Sequence, residues 1–199
     1  MKMQELKVRI TTTEGWLGTA NANKEIHREF IASKAPAPEN ADQECDAILD
    51  ADELFEKSMT VFPRVDGKPI IWDYQIKGFF KDTAAALRKI TGSESSKIKA
   101  YKKEIDGLIF VKERAIPIQY DGEITICERP LRAQTMQGER VALASSEEIP
   151  AGAKIEFTVL YQLPQHEKAI REWLDYGVFR GLGQWRNSGK GRFTWEEVA

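Results

Sequence analysis

The stretch IEFTVLYQLPQHEKAIREWLDYG, residues 155–177, decides the fold class of this 199-residue chain. Apolar residues alternate with others from Ile155 to Tyr161, which is typical of a half-buried β-strand. Pro164 ends that strand. The helical stripe that follows consists of Ile170, Trp173 and Leu174 and is closed by Gly177. The stretch therefore predicts a strand that leads directly into a helix.

The segments on either side of this unit extend it to an ordered series of elements. Leu6–Ile10 alternates with period two, and Asp73 is a candidate N-cap for a helix that stops at Gly92. Further strands are predicted at 107–111 and at 193–195. The resulting order is strand, helix, strand, strand, helix, strand. It predicts an α+β fold of ferredoxin-like topology (βαββαβ, RRM-like), with two helices on one face of an antiparallel sheet.

The length and the turn signals predict one domain with two insertions. A chain of 199 residues suits a single core. Prolines and many acidic residues interrupt the packing pattern within residues 21–66, which we interpret as an acidic insertion. Asp121-Gly122 is a hairpin signal within a second insertion, which spans residues 119–152.

The composition is that of a globular protein of a reducing compartment. Hydrophobic residues make up 42% and charged residues 30% of the chain. No apolar stretch is long enough to cross a membrane, and Met1–Glu5 lacks the apolar core of a secretory signal. With only Cys45 and Cys127, neither a disulfide framework nor a four-ligand zinc site is expected. We therefore expect a cytoplasmic protein with free thiols, no membrane partner, and no metal or other cofactor.

Charge is unevenly distributed along the chain. The formal net charge of −2 at pH 7 argues against a nucleic-acid partner. Residues 39–57, however, carry eight acidic residues and one lysine, whereas residues 77–103 carry eight basic and two acidic residues. Residues 180–192 carry four basic residues and no acidic residue. Outside the acidic segment the chain is therefore basic, which keeps nucleic acid as a candidate partner.

The segment from Gly181 to Phe193, here called the glycine-rich loop, carries the most chemistry. Its glycines are Gly181, Gly183, Gly189 and Gly191, a residue type that permits a positive φ and exposes backbone N–H groups to an anion. Arg186, Lys190 and Arg192 add positive charge, and Trp185 offers a stacking face to a base. We expect the loop to stand clear of the core and to bind phosphate oxygens. Alternatively, the glycines serve only the geometry of a tight connection and Trp185 packs in the core.

The loop also carries a family resemblance. Its spacing of Gly-Leu-Gly, five residues and Gly-Lys-Gly resembles the C-terminal loop of the RAMP superfamily, the RNA-binding backbone and processing subunits of CRISPR effector complexes. Ile71–Phe80, continuing to Leu87-Arg88, is similar to the segment with which the crRNA-binding backbone subunits begin their first helix. Ile31–Pro36 and Arg129–Gln134 resemble a family of uncharacterised prophage proteins of Gram-positive bacteria.

The resemblance implies a ferredoxin-like fold that contacts RNA phosphates. Taken together, the residue types and the resemblance nominate these positions for nucleic-acid binding: Lys77, Lys81, Arg132, Gly181, Gly183, Trp185, Arg186, Gly189, Lys190, Gly191 and Arg192. Arg129, Arg132 and Arg140 lie in the second insertion, where the family often carries a hairpin that contacts RNA or a neighbouring subunit. The alternative for these arginines is a charged, exposed ribbon without a binding role.

His27 is the single catalytic candidate, because processing enzymes of the resembled family cleave RNA without metal, using a histidine near the first helix. Arg28 follows it and could stabilise charge on a phosphorane. His166, at the start of the second helix, is interpreted as an ordinary helix-terminal residue. The sequence contains no Ser-His-Asp pattern and no Walker loop. Backbone subunits of the resembled family that cleave target RNA use an aspartate after the first strand, and no aspartate lies between Thr11 and Glu39. The residues therefore favour a binding protein over an enzyme.

The sequence as a whole predicts a phage- or prophage-encoded RAMP-like protein in the cytoplasm of the bacterial host. We expect it to bind RNA, single-stranded nucleic acid or another phosphate-bearing ligand, and to interfere with a host CRISPR complex or with other immunity. Alternatives are a metal-independent endoribonuclease, a sponge for a cyclic oligonucleotide defence signal, and a structural phage protein. The acidic residues of 39–57 lack calcium-loop spacing and are interpreted as a solvated helix face or a nucleic-acid mimic. Homo-oligomerisation is compatible with an open sheet face.

Overall fold

The computed structural model describes residues 3–21, 59–135 and 138–198. In chain order its strands are β1 (Gln4–Thr12), β2 (Trp16–Leu17), β3 (Ala20–Asn21), β4 (Thr60–Val61), β5 (Arg64–Val65), β6 (Lys68–Trp72), β7 (Ile109–Val111), β8 (Ala115–Pro117), β9 (Thr125–Thr135), β10 (Gly138–Ile149), β11 (Lys154–Tyr161) and β12 (Phe193–Glu197). Its helices are α1 (Asp73–Leu87), α2 (Glu94–Lys97), α3 (Tyr101–Leu108) and α4 (Pro164–Asp175), and 3₁₀ turns lie at Tyr176–Val178 and Arg186–Ser188. None of the helices in these ranges has the length and apolar character needed to cross a membrane.

A four-stranded antiparallel sheet in the order β12-β1-β11-β7 forms the centre of the molecule. Val8 of β1 lies opposite Phe157 of β11 on one side and opposite Glu197 of β12 on the other. Along the chain these strands alternate with helices in the order β1, α1, β7, β11, α4, β12. The prediction of a mixed α+β protein is thereby confirmed.

The core lies where α1 and α4 pack on the sheet. β1 buries Leu6, Val8 and Ile10, which alternate with polar residues and so share one face. On that face Phe79 of α1 contacts Phe193, with 5.2 Å between ring centroids, and Phe80 contacts Trp173 of α4 at 5.4 Å. Aromatic rings from both helices therefore meet over β1 and β12.

The other face of the sheet is polar. Arg9 of β1 donates to Glu156 of β11 at 2.7 Å and to Glu196 of β12 at 2.8 Å. Its two partners lie on the strands that flank β1, so the guanidinium bridges three strands. One cation on this face thus ties together carboxylates from both neighbouring strands.

Three details of the predicted elements are wrong at their ends. Asp73 is the first residue of α1 and not its N-cap, because the Trp72 N–H donates to the Gln75 side chain at 2.8 Å. The strand predicted from residue 107 begins only at Ile109, because residues 107 and 108 complete α3. The helix predicted to reach Gly92 ends at Leu87 and is followed by a turn.

A long hairpin lies beside the central sheet, within the predicted second insertion. β9 and β10 pair antiparallel along their length, and β10 continues by pairing with β2, where Glu148 lies opposite Leu17. A further sheet is built from β5, β6 and β8. Residues 39–57, the predicted acidic segment, lie outside the described residues. Because β10 pairs with β2, the base of the hairpin is held against the turn that follows β1.

We predict that Phe80→Ala lowers the free energy of unfolding by about 3–5 kcal/mol, because it removes a fully buried ring from the aromatic cluster between α1 and α4. The matched control is Phe179→Ala, since Phe179 is 66% exposed, and its effect is expected to stay within about 0.5 kcal/mol. Urea denaturation followed by far-ultraviolet circular dichroism measures both values. Equal losses for the two variants would contradict this assignment of the core.

Candidate functional site

The glycine-rich loop is folded back onto itself and onto the turn after β1. The Leu182 N–H donates to the Gly191 carbonyl at 2.9 Å, which closes the loop across its base. The Gly191 N–H donates to the Gly15 carbonyl at 2.8 Å, and the Thr13 N–H donates to the Arg192 carbonyl at the same distance. The turn after β1 therefore fixes the backbone of the loop.

The loop glycines are required because backbone segments approach each other closely. A Cβ at Gly191 would lie 1.9 Å from the Leu182 carbonyl oxygen, and one at Gly181 would lie 2.3 Å from the Lys190 carbonyl oxygen. A Cβ at Gly183 would lie 2.6 Å from the Leu17 carbonyl oxygen. The expectation that the loop stands clear of the core is therefore wrong, while phosphate binding by the loop stays a prediction.

Two arginines of this region share one carboxylate of α1. Arg180 Nε lies 2.7 Å and Arg186 Nη1 lies 3.0 Å from the same Asp82 oxygen. Arg180 also donates to Asn187 at 2.8 Å. All three charged side chains are about one-third exposed. A single carboxylate balances only one of two guanidinium groups, so this pair retains an excess of positive charge.

Lys190 is paired with the hairpin base. Its ammonium lies 2.5 Å from a carboxylate oxygen of Glu148. That carboxylate fills the space beside Gly15, where a Cβ would lie 1.7 Å from the oxygen.

Burial raises the pKa of the nearby Cys127 thiol, and Glu148 adds to that shift. The thiol is therefore expected to stay protonated and unreactive at neutral pH.

Arg192 and Arg129 have no carboxylate partner within the described ranges. Arg192 Nε is buried, and it finds no hydrogen-bond acceptor among those residues. Arg129 is only 4% exposed and donates to Ser146 at 2.8 Å and to Gln184 of the loop at 2.7 Å. The alternative of an exposed ribbon is therefore wrong for Arg129, which instead ties the hairpin to the loop.

Trp185 lies at the surface of the loop, next to Arg129. The Arg129 guanidinium is 5.5 Å from the centroid of its ring, and the residue is 37% exposed. The alternative in which Trp185 packs in the core is therefore wrong. A partly exposed ring with a cation on it is suited to stacking and to contact with anions.

Lys77 and Lys81 are directed away from the loop. Lys81 forms an ion pair with Asp106 of α3 at 2.6 Å, and Lys77 donates to the Asp106 carbonyl at 3.2 Å. The Lys77 ammonium also lies 4.9 Å from the centroid of the Phe110 ring. Burial lowers the pKa of Lys77, and the charge of Asp106 opposes this shift. These two lysines thus belong to the contact between α1 and α3.

The remaining residues singled out in the sequence are His27, Arg132 and His166. His27 lies outside the described residues, and so does the side chain of Arg132, whose backbone pairs with Val141 in the hairpin. His166 is fully buried at the start of α4, with Nε2 3.2 Å from Glu104 of α3. His166 therefore joins two helices. No cluster of three potential metal ligands occurs in the part of the chain that is described.

Sequence reasoning missed the partners of the loop cations. Four residues that hold the loop in place were not among the candidates: Asp82, Glu148, Gln184 and Gly15. For Asp82 a signal was present, because it is the single acidic residue within the basic stretch 77–89. For Glu148 no comparable signal exists, since only the pairing of β10 with β2 brings it beside Lys190.

Comparison with known proteins places the fold. No protein-family model matches the chain, and no curated protein matches its sequence. Over its whole length the chain resembles 60% of a chain in the Type III-B Cmr-beta bound to cognate target RNA, with a TM-score of 0.55 and 14% identity. It also resembles a chain of a Type IV-B CRISPR complex, with a TM-score of 0.51 and 12% identity, covering 98% of this chain and 91% of that one. The chain therefore shares a fold with chains of CRISPR complexes.

We predict that Gly191→Ala lowers the free energy of unfolding by at least about 1 kcal/mol, because φ is +68° there and the added Cβ meets the Leu182 carbonyl. Gly78→Ala is the matched control, since Gly78 lies in α1 with open space around it, and it should stabilise the chain by about 0.5–1 kcal/mol. Urea denaturation distinguishes the two signs. A stabilising Gly191→Ala would contradict the close backbone approach.

Proposed function

We propose that this chain is a RAMP-like protein of ferredoxin-like fold that binds RNA or another phosphate-bearing ligand through the glycine-rich loop and the base of the hairpin. The strand order β12-β1-β11-β7 and the alternation of strands with α1 and α4 support this topology. The fold shared with chains of CRISPR complexes, one of them bound to target RNA, supports an RNA ligand.

The observation that carries the proposal is a concentration of positive charge on one surface. The cations gathered there are Arg180, Arg186, Lys190 and Arg192, with the buried Arg129 beside them, and among the described residues the carboxylates that contact them are Asp82 and Glu148. This excess of cations occurs in a chain with a formal net charge of −2. A local positive surface on an acidic protein is what a polyanionic ligand needs.

The ion pairs that Arg180 and Arg186 form with Asp82, each about one-third exposed, leave room for phosphate binding. Ion pairs between partly exposed side chains contribute only about 0–1 kcal/mol, because water screens them and ordering both side chains costs entropy. A phosphate can accept two parallel hydrogen bonds from a guanidinium such as that of Arg186. The phosphate therefore replaces Asp82 as the partner of one arginine, while the other arginine keeps the carboxylate.

The proposed site is centred on the loop and excludes the α1 lysines from its middle. The loop glycines hold the cations in place by permitting the close backbone contacts, and Arg132 of β9 stays a further candidate for RNA binding. Lys77 and Lys81 are engaged by Asp106, so we assign them a peripheral role. Loss of either lysine should matter less than loss of Arg186 or Lys190.

The biological setting that we propose is a phage or prophage. A protein that shares the fold of CRISPR subunits, yet is encoded by a phage, interferes with host immunity by occupying a subunit position or by capturing RNA. The expected result is that expression of the chain raises plaque formation by a phage that a CRISPR-bearing host otherwise restricts. Equal plaque counts with and without the chain would contradict this anti-defence role but not RNA binding.

We predict salt-dependent binding of single-stranded RNA that is weakened by Arg186→Gln combined with Lys190→Gln. Each phosphate contact to a single strand contributes about 0.7 to the slope of log K against log salt, so the double variant should lose about 1.4. Fluorescence anisotropy of labelled RNA at several salt concentrations measures the slope. Glutamine removes the positive charge and keeps a polar amide donor, which limits any effect on folding.

Lys102→Gln combined with Lys103→Gln is the matched control, since both lysines are exposed on α3 and the net charge changes equally. The control should keep nearly the full slope. Equal loss in both double variants would indicate nonspecific attraction, and no binding of RNA at low salt would overturn the proposal. Defined RNA fragments that disappear with His27→Ala would instead favour the endoribonuclease.

A further inference from the structure

The backbone at Trp185 is unusual for a tryptophan. Its φ of 54° and ψ of 32° lie in the left-handed region, which costs free energy for any residue with a Cβ. The loop uses glycine at its other positive-φ positions, which are Gly183, Gly189 and Gly191. A glycine at 185 would satisfy the same geometry without cost. The backbone conformation at position 185 therefore does not explain why this residue is a tryptophan.

Trp185 is not a core residue. Trp16 and Trp173 are 1% and 0% exposed, and the Trp173 indole donates to Ser95 at 2.8 Å. Trp185 by contrast is 37% exposed and lies outside the hydrophobic cluster formed by the described residues. Its indole N–H has no acceptor among those residues, whereas a buried indole ordinarily has one. The side chain is thus open to a ligand through both its ring and its N–H group.

Arg129 holds the ring in this position. The guanidinium is 5.5 Å from the ring centroid and is fixed by Ser146 of the hairpin and Gln184 of the loop. Ser146 is itself in contact with Thr60, at 2.6 Å between hydroxyl oxygens. A cation fixed in this way covers one side of the ring and restricts its motion. The ring is then a preorganised surface, because its orientation is set before any ligand arrives.

The loop that carries the ring also carries cations suited to phosphates. Arg186 follows Trp185 directly and shares Asp82 with Arg180, and Arg192 Nε is buried without an acceptor in the described part of the chain. A flat aromatic surface in the same loop as such cations matches a nucleotide, whose base stacks while the adjacent phosphates meet the guanidinium groups.

We infer that Trp185 is a stacking platform for an unpaired nucleobase, held from beneath by Arg129, and that the ligand is consequently single-stranded. The inference rests on the proposed function and deepens it, because a phosphate-binding loop alone accepts duplex and single strand alike. A base within a duplex is already stacked and paired, so the platform excludes it. Arg129 acts here as a positioning residue for the ring.

The test compares Trp185→Gly, Trp185→Asn and Trp185→Phe in the full chain with three probes. They are a labelled single-stranded RNA, a strand of the same length with abasic nucleotides, and inorganic polyphosphate. Trp185→Gly should weaken RNA binding by about 5- to 150-fold, the range for loss of one base–aromatic stack, and Trp185→Phe should retain most of it. The abasic strand and polyphosphate, which carry no base, should bind all variants as they bind the wild type.

Thermal unfolding separates a platform from a structural residue. Trp185→Gly should unfold within about 4 °C of the wild type, because glycine at a positive φ offsets the lost ring contact. Trp185→Asn tolerates the left-handed conformation and serves as the second variant. A large fall in melting temperature for both variants, or an equal loss of affinity for intact and abasic strands, would overturn the inference.

The remaining outcomes distinguish the inference from the proposed function. Full RNA binding by Trp185→Gly, with the salt dependence still sensitive to Arg186 and Lys190, would overturn the platform and leave the phosphate-binding loop. Equal affinity of the wild type for the RNA and its duplex would do the same. Failure of all three probes to bind would overturn both.

Discussion

The rest of the structure depends on the close contact between the glycine-rich loop and the turn after β1. Gly191 donates to the Gly15 carbonyl, and a side chain at Gly181, Gly183 or Gly191 would collide with backbone atoms. The contact is made by backbone groups, and it satisfies their hydrogen bonds as it closes the loop. The positions of Arg186, Lys190 and Trp185 follow from it, since each belongs to the segment that the contact closes.

Charge is balanced locally but incompletely around this contact. On the polar face of the sheet one guanidinium, that of Arg9, meets two carboxylates, those of Glu156 and Glu196. The loop region distributes its cations over Asp82 and Glu148 and leaves Arg129 with hydrogen bonds and an aromatic ring in place of an acid. A buried guanidinium of this kind is stable only where donors are satisfied, which explains the need for Ser146 and Gln184.

The sequence predicts the central elements well because each has a strong period. β1 and β11 alternate, and α1 and α4 carry apolar stripes, so their existence and order follow from local pattern. The helix α3 escapes this reasoning because Gly107 adjoins an apolar run that suggests a strand. The ion pairs of the loop escape it for another reason. Arg186 and Asp82 are 104 residues apart, and only the strand order brings them together.

The hairpin has a mechanical consequence. β9 spans 11 residues, and at about 3.3 Å per residue it forms an arm about 35 Å long. Arg129 lies in this arm and donates to Gln184 of the loop, and Glu148 at the base of the hairpin pairs with Lys190, so two side-chain contacts join the arm to the loop. The arm and the loop are therefore mechanically coupled at the base of the hairpin.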